Sequence, residues 1–209
     1  MPDRKQEIID AALEIAGRDG VPAVSMRAVA EKIGVTPMAL YPHIGNKDGL
    51  LDAMIGRLLG SLPRPDADAS WQDRLAAIAH GVRDLAHRHP GCLELIFARP
   101  AVTPDAIRFV DAVFAALLDA GVPPAEVARV ERLTSTAIIG FAMSEVNGRF
   151  AATREPPSKR AAWATAAELP AHHALKPHLD RKVDWDAEFE ADLADLAAMI
   201  EAVARRAVR

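Results

Sequence analysis

Ser25-Met26-Arg27-Ala28-Val29-Ala30-Glu31-Lys32-Ile33-Gly34-Val35-Thr36, then after Pro37-Met38 the run Ala39-Leu40-Tyr41-Pro42-His43-Ile44-Gly45-Asn46-Lys47-Asp48-Gly49-Leu50-Leu51, decides how the rest of the chain is read. Ser25 is a helix cap, and Val24 and Val29 occupy the two positions of a hydrophobic staple. The spacing predicts a helix from Met26 to Ile33, with Val29, Ala30 and Ile33 facing inward. Gly34 is its stop signal. A third helix starts at once, with Thr36 as cap, Pro37 at the first helical position, and Val35 with Leu40 as a second staple. The small Ala30 lets two short helices approach closely across a tight turn, which is helix-turn-helix grammar. Upstream, Asp3 with Gln6 reads as a capping box. Ile8, Ile9, Ala12, Leu13 and Ala16 give a first amphipathic helix ended by Gly17 and Gly20. Downstream, Asn46 caps a fourth helix. Lys47 lies in its first turn, where a cation opposes the helix dipole. That placement makes sense if the helix end receives an anion, so that backbone N–H groups and the ammonium share one phosphate.

The same stretch resembles the DNA-binding signature of the tetracycline-repressor (TetR) family and covers nearly all of that domain. The resemblance implies an all-α chain, with a three-helix helix-turn-helix domain over residues 1–49. A helical ligand-sensing and dimerisation domain would follow over residues 50–209. It also implies that the third helix enters the major groove, with Arg27, Thr36, Pro37, Met38, Ala39, Tyr41, His43 and Lys47 as the DNA-binding set. Thr36, Tyr41 and Lys47 are expected mainly on phosphates. Arg27, Pro37, Met38 and Ala39 are candidates for base edges or thymine methyls. Blander roles stay open: Tyr41 packed on the first helix, Met38 in the core, His43 at a solvated helix end, Lys47 an ordinary surface lysine. Pro42 departs from many relatives and is expected to end the recognition helix. Few side-chain donors to bases remain, so apolar contacts and DNA shape are expected to carry more of the specificity.

Composition bounds the alternatives. Half of the 209 residues are hydrophobic and 5% are aromatic, which suits a sizeable Ala- and Leu-rich helical core and excludes a mostly disordered chain. No stretch reaches the roughly 20 apolar residues of a membrane span, and the N-terminus lacks the apolar run of a signal peptide. Cys92 is the only cysteine, so a reducing cytoplasm is the expected setting. Net charge is −4, and within residues 1–50 six Lys and Arg face seven Asp and Glu. Bulk electrostatics therefore counts against a DNA binder, and local placement must carry the case.

Past the head, punctuation by Pro and Gly predicts helices from about 50 to 62, 70 to 89, 92 to 98, 103 to 120 and 123 to 150. Residues 151–160 read as a mobile loop, 161–180 as a weaker helix broken by Pro170 and Pro177, and a final helix starts at Asp184. The resemblance implies that two late helices per subunit form a four-helix homodimer interface, and the stripes Val127, Val130 and Ile138 on one helix and Phe189, Leu193, Leu196 and Ile200 on the last are the candidates for it; intramolecular core is the alternative. A dimer places two reading heads on successive major-groove faces of a palindrome. For a small-molecule effector the candidates are His80, Arg83, His87, Phe109, Thr134, Phe141 and Glu145, polar or bulky groups on otherwise apolar helices; Phe114 belongs with them or with the core. His172, His173 and His178 invite a metal, but their spacing matches no standard zinc pattern, and neither a metal nor a cofactor is expected. The leading function is a repressor that binds operator DNA as a dimer and is released by an effector. The alternatives are a helical ligand carrier or enzyme with a vestigial helix-turn-helix, or an architectural DNA-binding protein. No phosphate loop, nucleophile elbow or H-E-x-x-H motif supports catalysis.

Overall fold

Helix α1 (Arg4–Asp19) buries Ile8, Ile9, Ala12, Leu13 and Ala16 on one side, as its periodicity predicts. Its cap differs in detail: the Asp3 carboxylate accepts from the Lys5 N–H at 3.0 Å, with Gln6 exposed. The computed structural model describes residues 3–66, 68–151, 163–179 and 181–206, so most of the stretch read as a mobile loop lies outside the described residues.

Helix α2 (Met26–Lys32) starts where Ser25 Oγ accepts from the Ala28 N–H at 3.1 Å. Val24 and Val29 are fully buried beside it, and Ile33 is half-buried. The turn is made by Gly34 at φ +72°, a left-handed conformation that suits glycine, and closes when the Val35 N–H donates to the Ala30 carbonyl at 2.9 Å.

The recognition segment corrects one expectation. Pro42 does not end it. A single 3₁₀ turn (Pro37–Ala39) leads into α3 (Tyr41–Ile44), and Pro42 sits in the first turn of that helix. Proline is tolerated there because a first-turn N–H has no helical partner to lose. The recognition segment is thus two short turns in succession.

Helix α4 (Lys47–Gly60) begins where Asn46 Oδ1 accepts from the Gly49 N–H at 2.9 Å. It runs without a break through the division expected at residues 49 and 50, so head and body share a helix. The body comprises α5 (Trp71–Arg88), α6 (Leu93–Ala98), α7 (Pro104–Asp119), α8 (Pro124–Val146), α9 (Pro170–Leu179) and α10 (Trp185–Arg206). Ser70 and Thr103 cap α5 and α7 through the Asp73 and Ala106 N–H groups. Helix α8 stops short of Phe150. Pro170 opens α9 and Pro177 is carried inside it. No strand occurs among the described residues.

One hydrophobic cluster runs from Ile8 and Leu50 through Met54 and Leu58 to Leu85, Ile138 and Phe189. Burying each such side chain contributes roughly 1.5–3 kcal/mol. The N-terminal head is therefore fused to the body, so a displacement in one reaches the other through close-packed side chains.

The dimer stripes need correction. Val127, Val130, Ile138, Phe189 and Ile200 are between 0 and 7% exposed within their own chain. Val127, Val130 and Ile200 belong to a second intrachain core with Val113 and Leu117. A stripe spaced three and four residues apart serves an intramolecular contact as well as an intermolecular one, and here the first uses it. Only Leu193 and Leu196 remain partly exposed. They line a groove of about 290 Å³ between α8 and α10, beside Ala137.

Candidate nucleic-acid interface and effector pocket

Arg27, Thr36, Pro37, Met38, Ala39, Tyr41, His43 and Lys47 are all exposed, while Val29, Ala30, Leu40 and Ile44 behind them are buried. The buried residues fix the backbone and the exposed ones form a rigid outward surface. Met38 is 73% exposed, so it is no core residue, and Tyr41 is not packed away against α1. Thr36 makes no capping bond, which leaves its hydroxyl for another partner. At the start of α4 the Asn46 side chain takes the Gly49 N–H. The N–H groups of Lys47 and Asp48, in the first turn of α4, have no intrahelical acceptor.

The acidic balance of the head is resolved by pairing. Glu7 meets Arg4, Asp19 meets Arg18, and Glu14 meets Lys32. Asp10 meets Arg57, and Asp48 meets Arg99. Those last two cations come from beyond residue 50, so the body lends positive charge to the head. Among the described residues Arg27 and Lys47 form no ion pair, and both stand on the recognition side. Sequence reading misses Arg57 and Arg99, because neither lies near the motif along the chain.

The effector candidates divide into two groups. Arg83 on α5 holds Glu145 on α8 through two bonds, Nε at 2.8 Å and Nη2 at 2.6 Å, and reaches Asp186 at 2.7 Å. His87 Nε2 lies 3.0 Å from Glu145, and His80 lies 3.0 Å from Glu190. The Arg83 guanidinium is 4.9 Å from the Phe189 ring centre and 5.7 Å from that of Phe141. Phe141 in turn meets Phe150, which stacks on Trp185 at 4.1 Å. His80, Arg83, His87, Phe141 and Glu145 thus belong to one ionic and aromatic knot tying α5, α8 and α10. Phe150, Trp185, Asp186 and Phe189 are members that sequence spacing does not assign to it.

Hydrogen bonding to Arg83 holds the Glu145 carboxyl below its ordinary value of 4.5, against the opposing effect of burial. The contribution of that ionised carboxylate is complete above its ordinary value and is lost as pH falls through the lowered one. Glu145→Gln is therefore expected to be less stable than the parent at pH 7, by about 1–3 kcal/mol. The gap should narrow as pH drops below 4. Urea denaturation at pH 7 and pH 3.5 checks this, and a gap equal at both pH values would show that the ionised carboxylate adds nothing.

Phe109 and Thr134 lie elsewhere. They line a narrow apolar cavity of about 50 Å³ that also touches Leu59 of α4, Ile96 of α6 and Glu131 of α8. Thr134 Oγ1 donates to its own helix, at the Val130 carbonyl, at 2.9 Å. Phe114 packs at the edge of the second core. Among the described residues no three or more His, Cys, Asp or Glu side chains converge as metal ligands. No described helix is long and apolar enough to cross a membrane.

Residues 8–54 match the family described as bacterial regulatory proteins, tetR family, and residues 75–169 match the tetracyclin repressor-like C-terminal domain. A Saccharopolyspora erythraea HTH-type transcriptional regulator is 31% identical over 96% of this chain and 85% of its own length. The chain belongs to the TetR family. It is a helix-turn-helix transcriptional regulator by that membership. The HTH-type transcriptional repressor DrrR1 of Streptomyces coeruleorubidus is 29% identical over 66% of this chain, which spans only 52% of that relative. In three dimensions, apo ActR from Streptomyces coelicolor superposes with a TM-score of 0.82 at 22% identity, over 98% of this chain and 99% of its own. ActR in complex with actinorhodin gives the same TM-score at 23% identity and the same coverage. At these identities ActR establishes the shared fold.

Proposed function

We propose that this TetR-family regulator is a repressor that binds a palindromic operator as a homodimer and is released by a small molecule entering the cavity between α4 and α8. The observation that carries the DNA half is the exposed recognition surface over a buried scaffold, with Arg27 and Lys47 as its unpaired cations among the described residues. Lys47 and the first N–H groups of α4 hold a phosphate, Thr36 and Tyr41 flank it, and Pro37, Met38 and Ala39 meet base edges. The dimer forms on the outer faces of α8 and α10, around Leu193 and Leu196.

The effector half rests on what the cavity touches. At about 50 Å³ it is well below the roughly 300–1,000 Å³ of ordinary ligand pockets. A ligand must therefore open it, displacing Leu59 of α4 and Ile96 of α6. The ligand shifts the equilibrium only by its preference for the opened form. That the same fold holds actinorhodin in ActR supports this reading. The knot around Arg83 is a brace between α5, α8 and α10, and its residues are the less favoured contacts.

Selection of bound sequences from a random duplex library tests the proposal. Recovery of an inverted repeat supports a dimeric operator reader, and absence of any enriched motif from a folded protein counts against it. Lys47→Ala is expected to weaken binding to all duplexes and to lower the salt slope by about one unit per bound subunit. An unchanged slope would remove Lys47 from the phosphate contacts.

A further inference from the structure

The residue that closes α6 makes an unusual set of contacts. Arg99 Nε and Nη2 lie 3.0 and 2.9 Å from Asp52 Oδ1, and its Nη1 lies 3.2 Å from Asp48 Oδ1. Asp48 and Asp52 stand four residues apart on α4, so their carboxylates share one face and repel. Asp48 also directly follows Lys47, beside the free N–H groups of the helix end. Its side chain is 75% exposed, so it acts on anything that approaches there. An unneutralised carboxylate at that place repels an incoming phosphate. Arg99 is held in the required extended conformation, φ −130° and ψ 144°, by the following Pro100, which disfavours a helical predecessor. Only 26% of its side chain is exposed, so the guanidinium is fixed between the two helices.

We propose that Arg99 is a positioning residue for DNA binding: it neutralises Asp48 and so keeps the phosphate-receiving end of α4 from becoming acidic. With Arg99 in place, the charges of Lys47, Asp48, Asp52 and Arg99 cancel. With Arg99 withdrawn, the same helix end carries one net negative charge. The residue belongs to the body and acts on the head across the α4–α6 contact, three residues after Ile96 of the cavity wall. Displacement of α6 would therefore change the charge presented to DNA as well as the geometry of the head. This inference rests on the assignment of Lys47 and the α4 end to a phosphate.

The test is fluorescence anisotropy of the full-length protein on a labelled 30-base-pair duplex of random sequence, using the parent, Lys47→Ala, Arg99→Gln, Arg99→Lys, Asp48→Asn and the double variant Arg99→Gln/Asp48→Asn. Arg99→Gln is expected to weaken binding about three- to tenfold at low salt, with the loss fading toward 1 M salt as the Debye length shrinks. Arg99→Lys keeps the charge and should bind nearly as the parent does. Asp48→Asn should bind more tightly than the parent, the double variant should bind at least as tightly as the parent, and Arg99→Gln should cost less in the Asp48→Asn background than alone, the non-additivity expected of coupled charges. Asp48→Asn leaves Arg99 and the α4–α6 packing in place, so it tests the idea even where Arg99→Gln fails to fold. Parental affinity in Arg99→Gln, or a double variant as weak as Arg99→Gln alone, overturns the proposal. If Lys47→Ala weakens binding while the Arg99 set does not couple, only this inference fails. A parent that binds no duplex removes the phosphate reading and this inference with it.

Discussion

Phe189→Ala is expected to cost about 3–5 kcal/mol of stability, the range for deleting a buried phenyl ring and leaving its cavity. The ring is 1% exposed. It packs edge-on to His80 at 5.4 Å and tilted against Phe141 at 4.9 Å. It also forms one wall for the Arg83 guanidinium, 4.9 Å from its centre. Removing it therefore takes away apolar burial, two aromatic contacts and a cation–π contact of roughly 0.5–2 kcal/mol. The desolvated Arg83 is left beside a void, held by Glu145, Asp186 and the more distant Phe141 ring. Urea denaturation measures the loss, and a cost below about 1.5 kcal/mol would mean that α10 collapses into the space. The same burial changes what a charge at this position would report. An aspartate at 189 would enter the core of one chain and prevent folding, so it cannot serve as a probe of dimerisation. Probes of association belong at Leu193 and Leu196, whose side chains reach the surface.

That reversal shows where the sequence is legible. Local rules work at most helix starts, with two exceptions: Thr36 makes no capping bond, and Asp3 caps α1 without Gln6. Ser25 and Asn46 each cap the helix expected of them, and Ser70 and Thr103 cap helices that start where they are expected to, because a cap depends on a side chain and an N–H two or three residues away. The outward face of the recognition segment is readable for the same reason, since its exposed and buried positions alternate within one short motif. Pro42 misleads because a proline is a breaker inside a helix and harmless in its first turn, and the break between the 3₁₀ turn and α3 decides which applies. The stripes of α8 and α10 mislead because helical period identifies a buried face and not the chain that covers it. Phe109 and Thr134 meet in one cavity while Arg83 and Glu145 meet in another place, a division set by helix packing that spacing along each helix does not contain. Arg99 gives no local signal at all. Its partners lie 47 and 51 residues away, and only the docking of α6 on α4 creates the contact.

Gly49→Ala is expected to reduce DNA affinity by about tenfold or more and to destabilise the head by about 1–3 kcal/mol, the usual cost of overpacking. The sign is the informative part. In an open helical position alanine is favoured over glycine by about 1 kcal/mol. Gly17, inside α1, is such a position: an added Cβ meets nothing within 4 Å, so Gly17→Ala should stabilise. At Gly49 an added Cβ would stand 2.3 Å from the Ile44 carbonyl oxygen, a backbone atom at the end of α3 that no rotamer change can move aside. Helix α3 must then separate from α4 by roughly 1 Å to bring the 2.3 Å approach out to an ordinary contact. Leu40 and Ile44 anchor that segment in the head core, and Tyr41 and His43 project from it, so the shift tilts the recognition surface away from the α4 end. Under the proposed function, Lys47 and Tyr41 would then lose the spacing with which they meet neighbouring phosphates. Thermal melting and duplex binding of Gly17→Ala and Gly49→Ala, measured side by side, separate the effects of helix propensity from those of close approach. A Gly49→Ala protein that melts higher than the parent and binds DNA equally well would show that α3 and α4 have room to part, and that the contact between them does not set the geometry of the reading head.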